Sequence, residues 1–255
     1  MMPSLDSLST SPVLPPLSAE RFTRQIFLPE IGFDGQMRLH RARVLVVGCG
    51  ALGSVAAWYC AATGIGTIGL ADNDTIALHN LHRQPLYTPD EIGHKKTDIL
   101  FRKLKAFAPA LDIQRFPAID SANAYAVCSQ YDVVIDGTDT FFAKFLLNDI
   151  CSALRLPFVY GSVYQLESQC ALFDMQKATL RTLFPHEPPP TAVPDCAGSG
   201  TLGVVTSLTA LWQVQLALAY LLGWQPLRAN VLFLWNMKTL TMQEISLADS
   251  NDTAL

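Results

Sequence analysis

The chain alternates short apolar runs with longer segments in which apolar residues recur at helical spacing. Runs rich in Val, Ile and Leu predict buried strands, and the segments between them predict helices. The predicted strands cover residues 43–47, 67–71, 112–116, 132–136, 158–162, 168–173, 231–236 and 241–245. The predicted helices cover residues 19–25, 35–41, 54–63, 95–108, 122–129, a segment ending at 154, and 202–222.

The order of these elements predicts an α/β fold. The first five strands alternate with helices, so we expect a Rossmann-like, mostly parallel sheet with helices on both faces. The later strands flank a Pro-rich loop and a long helix, which favours a C-terminal antiparallel sheet extension. We expect a disordered N-terminal arm over 1–18 and a single domain over 19–255. Its nucleotide-binding part is expected at about 43–163 and a crossover loop at about 174–201.

Composition and charge narrow the class of protein. The net charge is −4 without any Lys/Arg block, so the sequence offers no electrostatic footprint for nucleic acid or an anionic membrane. The apolar segment 202–222 is interrupted by polar residues and Gly, which indicates a buried helix and not a membrane span. The N-terminal stretch lacks the pattern of a signal peptide. No two of the six cysteines have C-x-x-C spacing, and a reducing cytoplasmic location is expected.

The first motif is a glycine loop between a predicted strand and a predicted helix. Gly48, Gly50 and Gly53 form G-x-G-x-x-G, and Asp72 ends the next strand. Such glycines allow a tight turn and let phosphates approach a helix N-terminus, and the carboxylate can accept hydrogen bonds from a ribose. Nucleotide binding is favoured, although a purely structural turn is the alternative. The motif does not distinguish one nucleotide from another.

The second motif is a polar cluster after the second strand. It contains Asn80, Arg83 and Gln84, and Lys96 follows a short distance later. Displacing pyrophosphate builds negative charge on phosphates, which fixed guanidinium and ammonium groups can neutralise. The cluster therefore indicates triphosphate chemistry. The alternative is that these charged side chains simply solvate a loop.

The third motif, Asp136-Gly-Thr-Asp139, lies at the carboxyl end of a predicted strand, where open parallel sheets bind ligands. Asp139 could hold Mg²⁺ that bridges phosphates, since hard cations take carboxylate oxygens. The alternative is a helix N-cap formed by Thr138 or Asp136. A fourth feature, Arg24 ahead of the first strand, carries almost no information alone.

In this order the motifs resemble the MoeB/ThiF/HesA adenylyltransferases, bacterial relatives of the ubiquitin-activating enzymes. The resemblance rests on the stretches RFTRQIFLPEIGFDGQ, VLVVGCGALGS, GIGTIGLADNDTI, LHNLHRQPLY, DEIGHKK and VVIDGTDT. It implies an ATP site made of Gly48, Gly50, Ala51, Gly53, Asp72, Asp74, Asn80, Arg83, Gln84, Lys96, Asp139 and Thr140. It also implies a homodimer in which Arg24 reaches the triphosphate of the neighbouring subunit.

The reaction implied by the resemblance is adenylation of a carboxylate. The C-terminal carboxylate of a small ubiquitin-like sulfur-carrier protein, or of a peptide, ending in Gly-Gly would attack the α-phosphate of MgATP. The products would be an acyl-AMP and pyrophosphate. Catalysis would come mostly from positioning and charge stabilisation, because the carboxylate is already ionised.

The sequence departs from the family pattern at several positions. Thr179 and Thr182 stand where many members have the first zinc-binding cysteine pair, so we expect no zinc and a crossover loop held by packing alone. Cys196 aligns with a loop cysteine that carries a thioester or persulfide in sulfur-transferring members, and a spectator cysteine is the alternative. Thr140 replaces a common Asn, and Ala51 replaces a Gly.

Two other functions fit part of the sequence. The glycine loop with Asp72 would also suit a NAD(P)-dependent oxidoreductase, although no separate catalytic domain is visible. A non-catalytic scaffold that has lost activity would fit the missing zinc ligands. The phosphate-binding residues favour the adenylating enzyme over both.

Overall fold

The computed structural model describes residues 20–188 and 200–247, and the eight strands found there form one sheet. The strands are β1 Arg43–Val47, β2 Thr67–Ala71, β3 Asp112–Phe116, β4 Val133–Asp136, β5 Phe158–Tyr164, β6 Glu167–Phe173, β7 Val231–Asn236 and β8 Thr241–Ser246. The α-helices are α1 Thr23–Ile26, α2 Gly32–Arg41, α3 Gly53–Thr63, α4 Lys96–Phe107, α5 Ala124–Cys128, α6 Phe141–Leu154, α7 Leu180–Leu183 and α8 Gly203–Leu222, and Leu78–Asn80 and Pro89–Glu91 form short 3-10 helices. The spatial order of the strands is β3-β2-β1-β4-β5-β6-β7-β8.

The first five strands in the chain form the parallel half of the sheet, as predicted. Along β1, Val44 and Val46 face one apolar cluster, whereas Leu45 and Val47 face the other. A strand covered on both faces is apolar at every position, which explains why β1, β2 and β4 were recognisable as continuous apolar runs. Helices therefore cover both faces of the sheet, which confirms the predicted fold class.

The register aligns the carboxyl ends of three neighbouring strands. Val47, the last residue of β1, pairs with Ala71 of β2 and with Asp136 of β4. The segments that leave these strands therefore meet at one edge of the sheet. That edge carries the glycine loop, the polar turn and the acidic turn, as the sequence predicted.

The C-terminal strands form the predicted antiparallel extension, in which β6, β7 and β8 follow β5 across the sheet. Strand β5 runs two residues further than predicted, because Val163 and Tyr164 pair with Ser168 and Glu167 across a tight turn. Every residue of the edge strand β8 is exposed.

Helix α8 is the single helix in the described segments that is long and apolar enough to cross a membrane by length and composition. It packs against β5, β6 and α3, and Thr209 and Gln213 on it are fully buried. The Gln213 side chain donates hydrogen bonds to the backbone oxygens of Asp136 (2.7 Å) and Val159 (3.1 Å). These contacts make α8 a core helix of this domain, as the sequence indicated.

Two further local features differ from the expectation. The predicted crossover loop, 174–201, contains the short helix α7, which the sequence pattern did not show. The N-cap of α6 is Thr140, and not Thr138 or Asp136, because its hydroxyl accepts a hydrogen bond from the Ala143 N–H at 3.2 Å. The predicted arm over 1–18 and part of the crossover loop lie outside the described residues.

Candidate active site

Two glycines of the first motif are required by backbone packing. Gly48 has φ +87°, and a Cβ there would lie 2.5 Å from the carbonyl oxygen of Gly137. A Cβ on Gly53 would lie 1.7 Å from the carbonyl oxygen of Gly48. Neither position can accept a side chain without movement of the backbone. The fold itself therefore requires glycine at these two positions, as the structural alternative proposed. The close approach of Gly48 to Gly137 also places the glycine loop directly against the turn that carries Asp139.

The middle glycine has a different role. The nearest atom to a Cβ on Gly50 would be Nε2 of Gln84, at an ordinary contact distance of 3.6 Å. The fold does not exclude a side chain there, so the space beside Gly50 is open. The backbone N–H groups of Ala51 and Leu52 bond no acceptor within 20–188 and 200–247, and no side chain caps α3. Free N–H groups at the start of a helix attract anions such as phosphate.

Asp72 fixes the shape of this loop. Its Oδ2 accepts a hydrogen bond from the Cys49 N–H at 2.6 Å, and its Oδ1 accepts one from the Asp74 N–H at 2.6 Å. Burial, reinforced by the Asp72 carboxylate, raises the pKa of the Cys49 thiol well above its ordinary value. Cys49 is therefore held as a neutral thiol.

Tyr87 is a site residue that the sequence analysis missed. Its hydroxyl is buried and donates a hydrogen bond of 2.8 Å to the carbonyl oxygen of Cys49. A signal was present, since Tyr87 stands three residues after Gln84 in the same polar segment. Nothing in the local pattern indicated that its partner lies in the glycine loop.

The polar turn after β2 places amide side chains beside the glycine loop. Gln84 is only 3% exposed, and its Oε1 has no hydrogen-bond partner in the described part of the chain. Asn80 is buried, and its Oδ1 accepts a hydrogen bond from the Ala77 N–H at 3.1 Å. Its Nδ2 makes no bond within the two described ranges. A buried amide oxygen without a partner is unusual, and it marks a place where a bound molecule or water would complete the contacts.

The Arg83 side chain folds back onto the turn after β2 that contains it. Its Nη1 donates to the carbonyl oxygen of His79 at 2.7 Å and lies 3.0 Å from Nε2 of His82. The N-terminus of α8 packs on the same turn, because a Cβ on Gly203 would lie 2.6 Å from the His82 carbonyl oxygen. The remaining N–H groups of the Arg83 guanidinium make no bond in the described part of the chain, so they are available for an anion. The two histidines were not predicted as part of the site.

Lys96 is buried and forms an ion pair with Asp74, with 2.8 Å between Nζ and Oδ2. Its backbone N–H also donates to the Asp74 carbonyl oxygen at 3.0 Å. Asp74 is exposed, so this lysine reaches the surface of the site only through its terminal ammonium group. The structure thus brings two predicted nucleotide-binding residues into direct contact at the end of β2.

Asp139 projects from the turn after β4 as an exposed carboxylate, and it makes no hydrogen bond or ion pair with the rest of the described chain. No group of three His, Cys, Asp or Glu side chains that could hold a metal ion occurs within the described ranges. Asp139 therefore offers a single carboxylate. That suits Mg²⁺ shared with phosphate oxygens, since Mg²⁺ is commonly bound by one or two carboxylates together with substrate phosphates. The hydroxyl of Thr140 is already engaged as the α6 cap.

The start of the crossover segment is held by more than packing, which corrects the expectation. Thr179 Oγ1 accepts from the Arg181 N–H (3.2 Å), and Thr182 Oγ1 accepts from the Thr179 N–H (3.1 Å). The guanidinium of Arg181 binds both oxygens of Asp149 at 2.7 Å, so it ties α7 to α6. The two threonines at the positions of the missing cysteines therefore form hydrogen bonds of their own.

Two predicted catalytic residues are not brought to the site by the described part of this chain. Arg24 is exposed on α1, and it has no ion pair within 20–188 or 200–247. Cys196 lies outside the described residues. Their roles remain those expected from the sequence.

Comparisons with known proteins identify the family of this chain. The model of the ThiF family matches residues 22–254. The sulfur carrier protein adenylyltransferase of Thermus thermophilus is 38% identical over 221 residues, covering 84% of this chain and 82% of that protein. The adenylyltransferase and sulfurtransferase MOCS3 of Anopheles gambiae is 38% identical over 235 residues, covering 91% of this chain and 53% of that protein. The chain thus spans about half the length of the MOCS3 protein.

Among solved structures, E. coli MccB with ATP has a TM-score of 0.76 at 21% identity, covering 94% of this chain and 75% of that chain. At this identity the likeness shows the fold alone. The family match extends over nearly the whole sequence, and the glycine loop, polar turn and acidic turn stand together at one sheet edge. The chain belongs to the ThiF family.

Proposed function

We propose that this chain, an adenylyltransferase like its named relatives, uses MgATP to activate the C-terminal carboxylate of a small ubiquitin-like sulfur-carrier protein or peptide ending in Gly-Gly. The products are an acyl-adenylate and pyrophosphate. The observation that carries the proposal is the open face of Gly50 at the uncapped N-terminus of α3, beside Gln84 with its unpartnered oxygen. The Thermus thermophilus relative, which this chain covers for most of its length, is named for the same activity.

Each residue at this edge has a role that follows from its chemistry. The free N–H groups at the start of α3 bind phosphate oxygens, and the Asp72 carboxylate accepts hydrogen bonds from the ribose. Lys96 and Arg83 carry positive charge toward the phosphates, where negative charge grows as pyrophosphate leaves. Asp139 would hold Mg²⁺, which supplies further positive charge to the phosphate oxygens when bound. The attacking carboxylate needs no general base because it is already ionised near pH 7.

The second subunit completes the proposed site. Arg24 is an exposed guanidinium on α1 without an ion-pair partner in the described chain, as expected for a residue that acts on a neighbouring molecule. We therefore propose a homodimer in which Arg24 reaches the triphosphate of the partner. Cys196 would act after adenylation in a sulfur-transferring enzyme, and adenylation itself does not need it. A zinc ion is not expected, and a cytoplasmic location is proposed.

The test is ATP–pyrophosphate exchange with small ubiquitin-like proteins ending in Gly-Gly that the same genome encodes. We expect exchange with a carrier that has a free C-terminal carboxylate and none with the same carrier as a C-terminal amide. Asp139→Ala should abolish exchange. Asp34→Ala is the matched control, because Asp34 is also an exposed carboxylate, on α2, without a side-chain bond in the described ranges.

The same preparation separates the two alternatives. An oxidoreductase would bind NAD(P) and not ATP in a calorimetric titration. A scaffold would bind the carrier without exchange, and Asp139→Ala would then change nothing. Either result would rule out the adenylating function.

A further inference from the structure

Lys144 is a charged residue buried beneath the turn that carries Asp139. It lies in the second turn of α6, and only 4% of it is exposed. Its ammonium donates to Asp136 Oδ2 at 2.8 Å, to the Thr138 carbonyl oxygen at 2.8 Å and to the Gly161 carbonyl oxygen at 2.7 Å. An ammonium has three N–H donors, so all of them are used.

These three acceptors join the end of β4, the following turn and β5. Asp136 is fully buried, and its other oxygen accepts hydrogen bonds from the Thr138 N–H at 3.0 Å and the Thr138 hydroxyl at 2.6 Å. Asp136 therefore accepts from the N–H and the hydroxyl of Thr138, and Lys144 donates to its carbonyl oxygen. The peptide group between Thr138 and Asp139 is therefore held in place, with its carbonyl oxygen pointing toward the buried Lys144 ammonium.

Stability alone is an insufficient explanation for this buried pair. The Lys144 ammonium lies 5.3 Å from the centre of the Tyr160 ring, and Asp136 is the charged side chain paired with it. A buried ion pair is often no more stabilising than well-packed apolar side chains of the same volume. The distinctive effect of this pair is to fix the backbone of the turn at Thr138. The next side chain, Asp139, is exposed and unpaired in the described chain.

We propose that Lys144 is a positioning residue that holds the Asp139 turn in the conformation that receives magnesium-bound ATP. This inference rests on the proposed adenylyltransferase function. Lys144 does not touch the nucleotide. It acts through the carbonyl oxygen of Thr138. Loss of the Lys144 ammonium should therefore weaken the part of ATP binding that depends on magnesium and leave the part that depends on the glycine loop.

The experiment measures the Kd for ATP by calorimetry in Mg²⁺ and in EDTA, with the Asp136→Asn/Lys144→Met double variant. Removing both charges leaves no unpaired buried ion, while the amide oxygen introduced by Asp136→Asn can still accept from Thr138. We expect the tightening of ATP binding by Mg²⁺ to fall about 10–100-fold, as when an outer-shell partner of a metal ligand is lost. The Kd in EDTA should stay unchanged, since Gly50 and α3 are intact.

A metal-free readout and a control complete the design. Hydrogen exchange should become faster in the peptide covering 137–141 of the ligand-free double variant, because the turn has lost a carbonyl partner. Lys105→Met is the control: Lys105 donates to the Leu111 carbonyl oxygen at 2.5 Å in the turn before β3. It should change neither the magnesium effect nor exchange in 137–141. If the double variant does not fold, Lys144→Arg, with a longer planar group, should show the same losses to a smaller extent.

The outcomes are distinguishable. A wild-type chain that binds no ATP in either buffer overturns the proposed function and this inference with it. A wild type that binds MgATP more tightly than ATP in EDTA, together with a folded double variant that keeps the full magnesium effect, overturns the role of Lys144 alone. Equal weakening in Mg²⁺ and EDTA would show a general structural role and would also overturn it.

Discussion

The hydroxyl of Tyr87 donates a buried hydrogen bond of 2.8 Å to the carbonyl oxygen of Cys49. This bond joins the polar turn after β2 to the glycine loop after β1. The N–H of Cys49 is also held, because it donates a hydrogen bond to the carboxylate of Asp72. Both polar groups of the Cys49 backbone are therefore used to hold the loop, and neither is left for a ligand.

Replacing Tyr87 by Phe should weaken both the fold and the nucleotide site. The Cys49 carbonyl oxygen would lose its partner in a buried position, so we expect the free energy of unfolding to fall by about 1–3 kcal/mol. The Kd for ATP should rise, because the loop is no longer tied to the turn of Arg83. Denaturant unfolding and calorimetry measure the two effects. Tyr59→Phe, at an exposed site on α3, is the control and should change neither.

Two glycines of the loop, Gly48 and Gly50, should respond differently to alanine. Gly48→Ala forces a Cβ against the Gly137 carbonyl oxygen at a positive φ, so the free energy of unfolding should fall by at least ~2 kcal/mol. Gly50→Ala meets only the Gln84 amide at an ordinary distance, so the stability should change by less than ~1 kcal/mol. Its Kd for ATP should nevertheless rise about tenfold, equivalent to ~1.4 kcal/mol. Unchanged ATP binding in folded Gly50→Ala would show that phosphate does not occupy this space.

Local sequence patterns predicted most of the fold, and the buried parallel strands β1, β2 and β4 stood out as continuous apolar runs. The bounds of β1, β2, β3 and β7 match the predicted ranges. The glycine loop and the order of motifs were sufficient to predict which sheet edge carries the candidate site. These features depend on residues close together in the chain.

The parts that were missed depend on contacts between distant residues. The Tyr87 hydroxyl meets a carbonyl oxygen 38 residues away, and Lys144 meets one 17 residues away. In the sequence, Lys144 is only a lysine within an apolar helix. Helix α7 was also missed, because it is short and is held by Asp149 and Arg181, which lie 32 positions apart.

The bond between Asp149 and Arg181 should make a small, pH-dependent contribution to stability. Hydrogen bonding to the Arg181 guanidinium holds the pKa of the Asp149 carboxyl below its ordinary value. A carboxyl with a depressed folded pKa stabilises the fold above the unfolded value of about 3.9, and this stabilisation is lost as the pH falls through the folded pKa. Both side chains are nearly half exposed (47% and 44%), so we expect a coupling energy below ~1 kcal/mol at pH 7.

A double-mutant cycle with Asp149→Asn and Arg181→Gln measures that coupling by urea unfolding. The coupling should shrink as the pH is lowered below about 3.9 and should also shrink in high salt, because the pair is exposed to solvent. A coupling that persisted after full protonation of the carboxyl would mean that the pKa shift has another origin.

Native-state alkylation should distinguish Cys196 from the five other cysteines. Cys49, Cys60, Cys128, Cys151 and Cys170 are buried free thiols in the described chain. Burial raises the pKa of Cys60 to about 12, and it also raises the pKa of Cys170. At pH 8 a thiol of pKa 12 is ionised to only about one part in 10⁴, and the thiolate is the reactive form.

Mass spectrometry after brief iodoacetamide treatment at pH 8 should therefore find one modified cysteine in the folded chain, at Cys196, and six in the denatured chain. Cys196→Ser should leave the folded chain unmodified. The Cys151 thiol donates to Cys128 and lowers the pKa of Cys128, so Cys128 is the described thiol with the most thiolate character. Its complete burial still protects it, because the reagent cannot reach the sulfur without local opening of α5. Labelling of Cys128 as fast as Cys196 would show that α5 opens readily, and slow labelling of Cys196 would argue against its role as a reactive thiol.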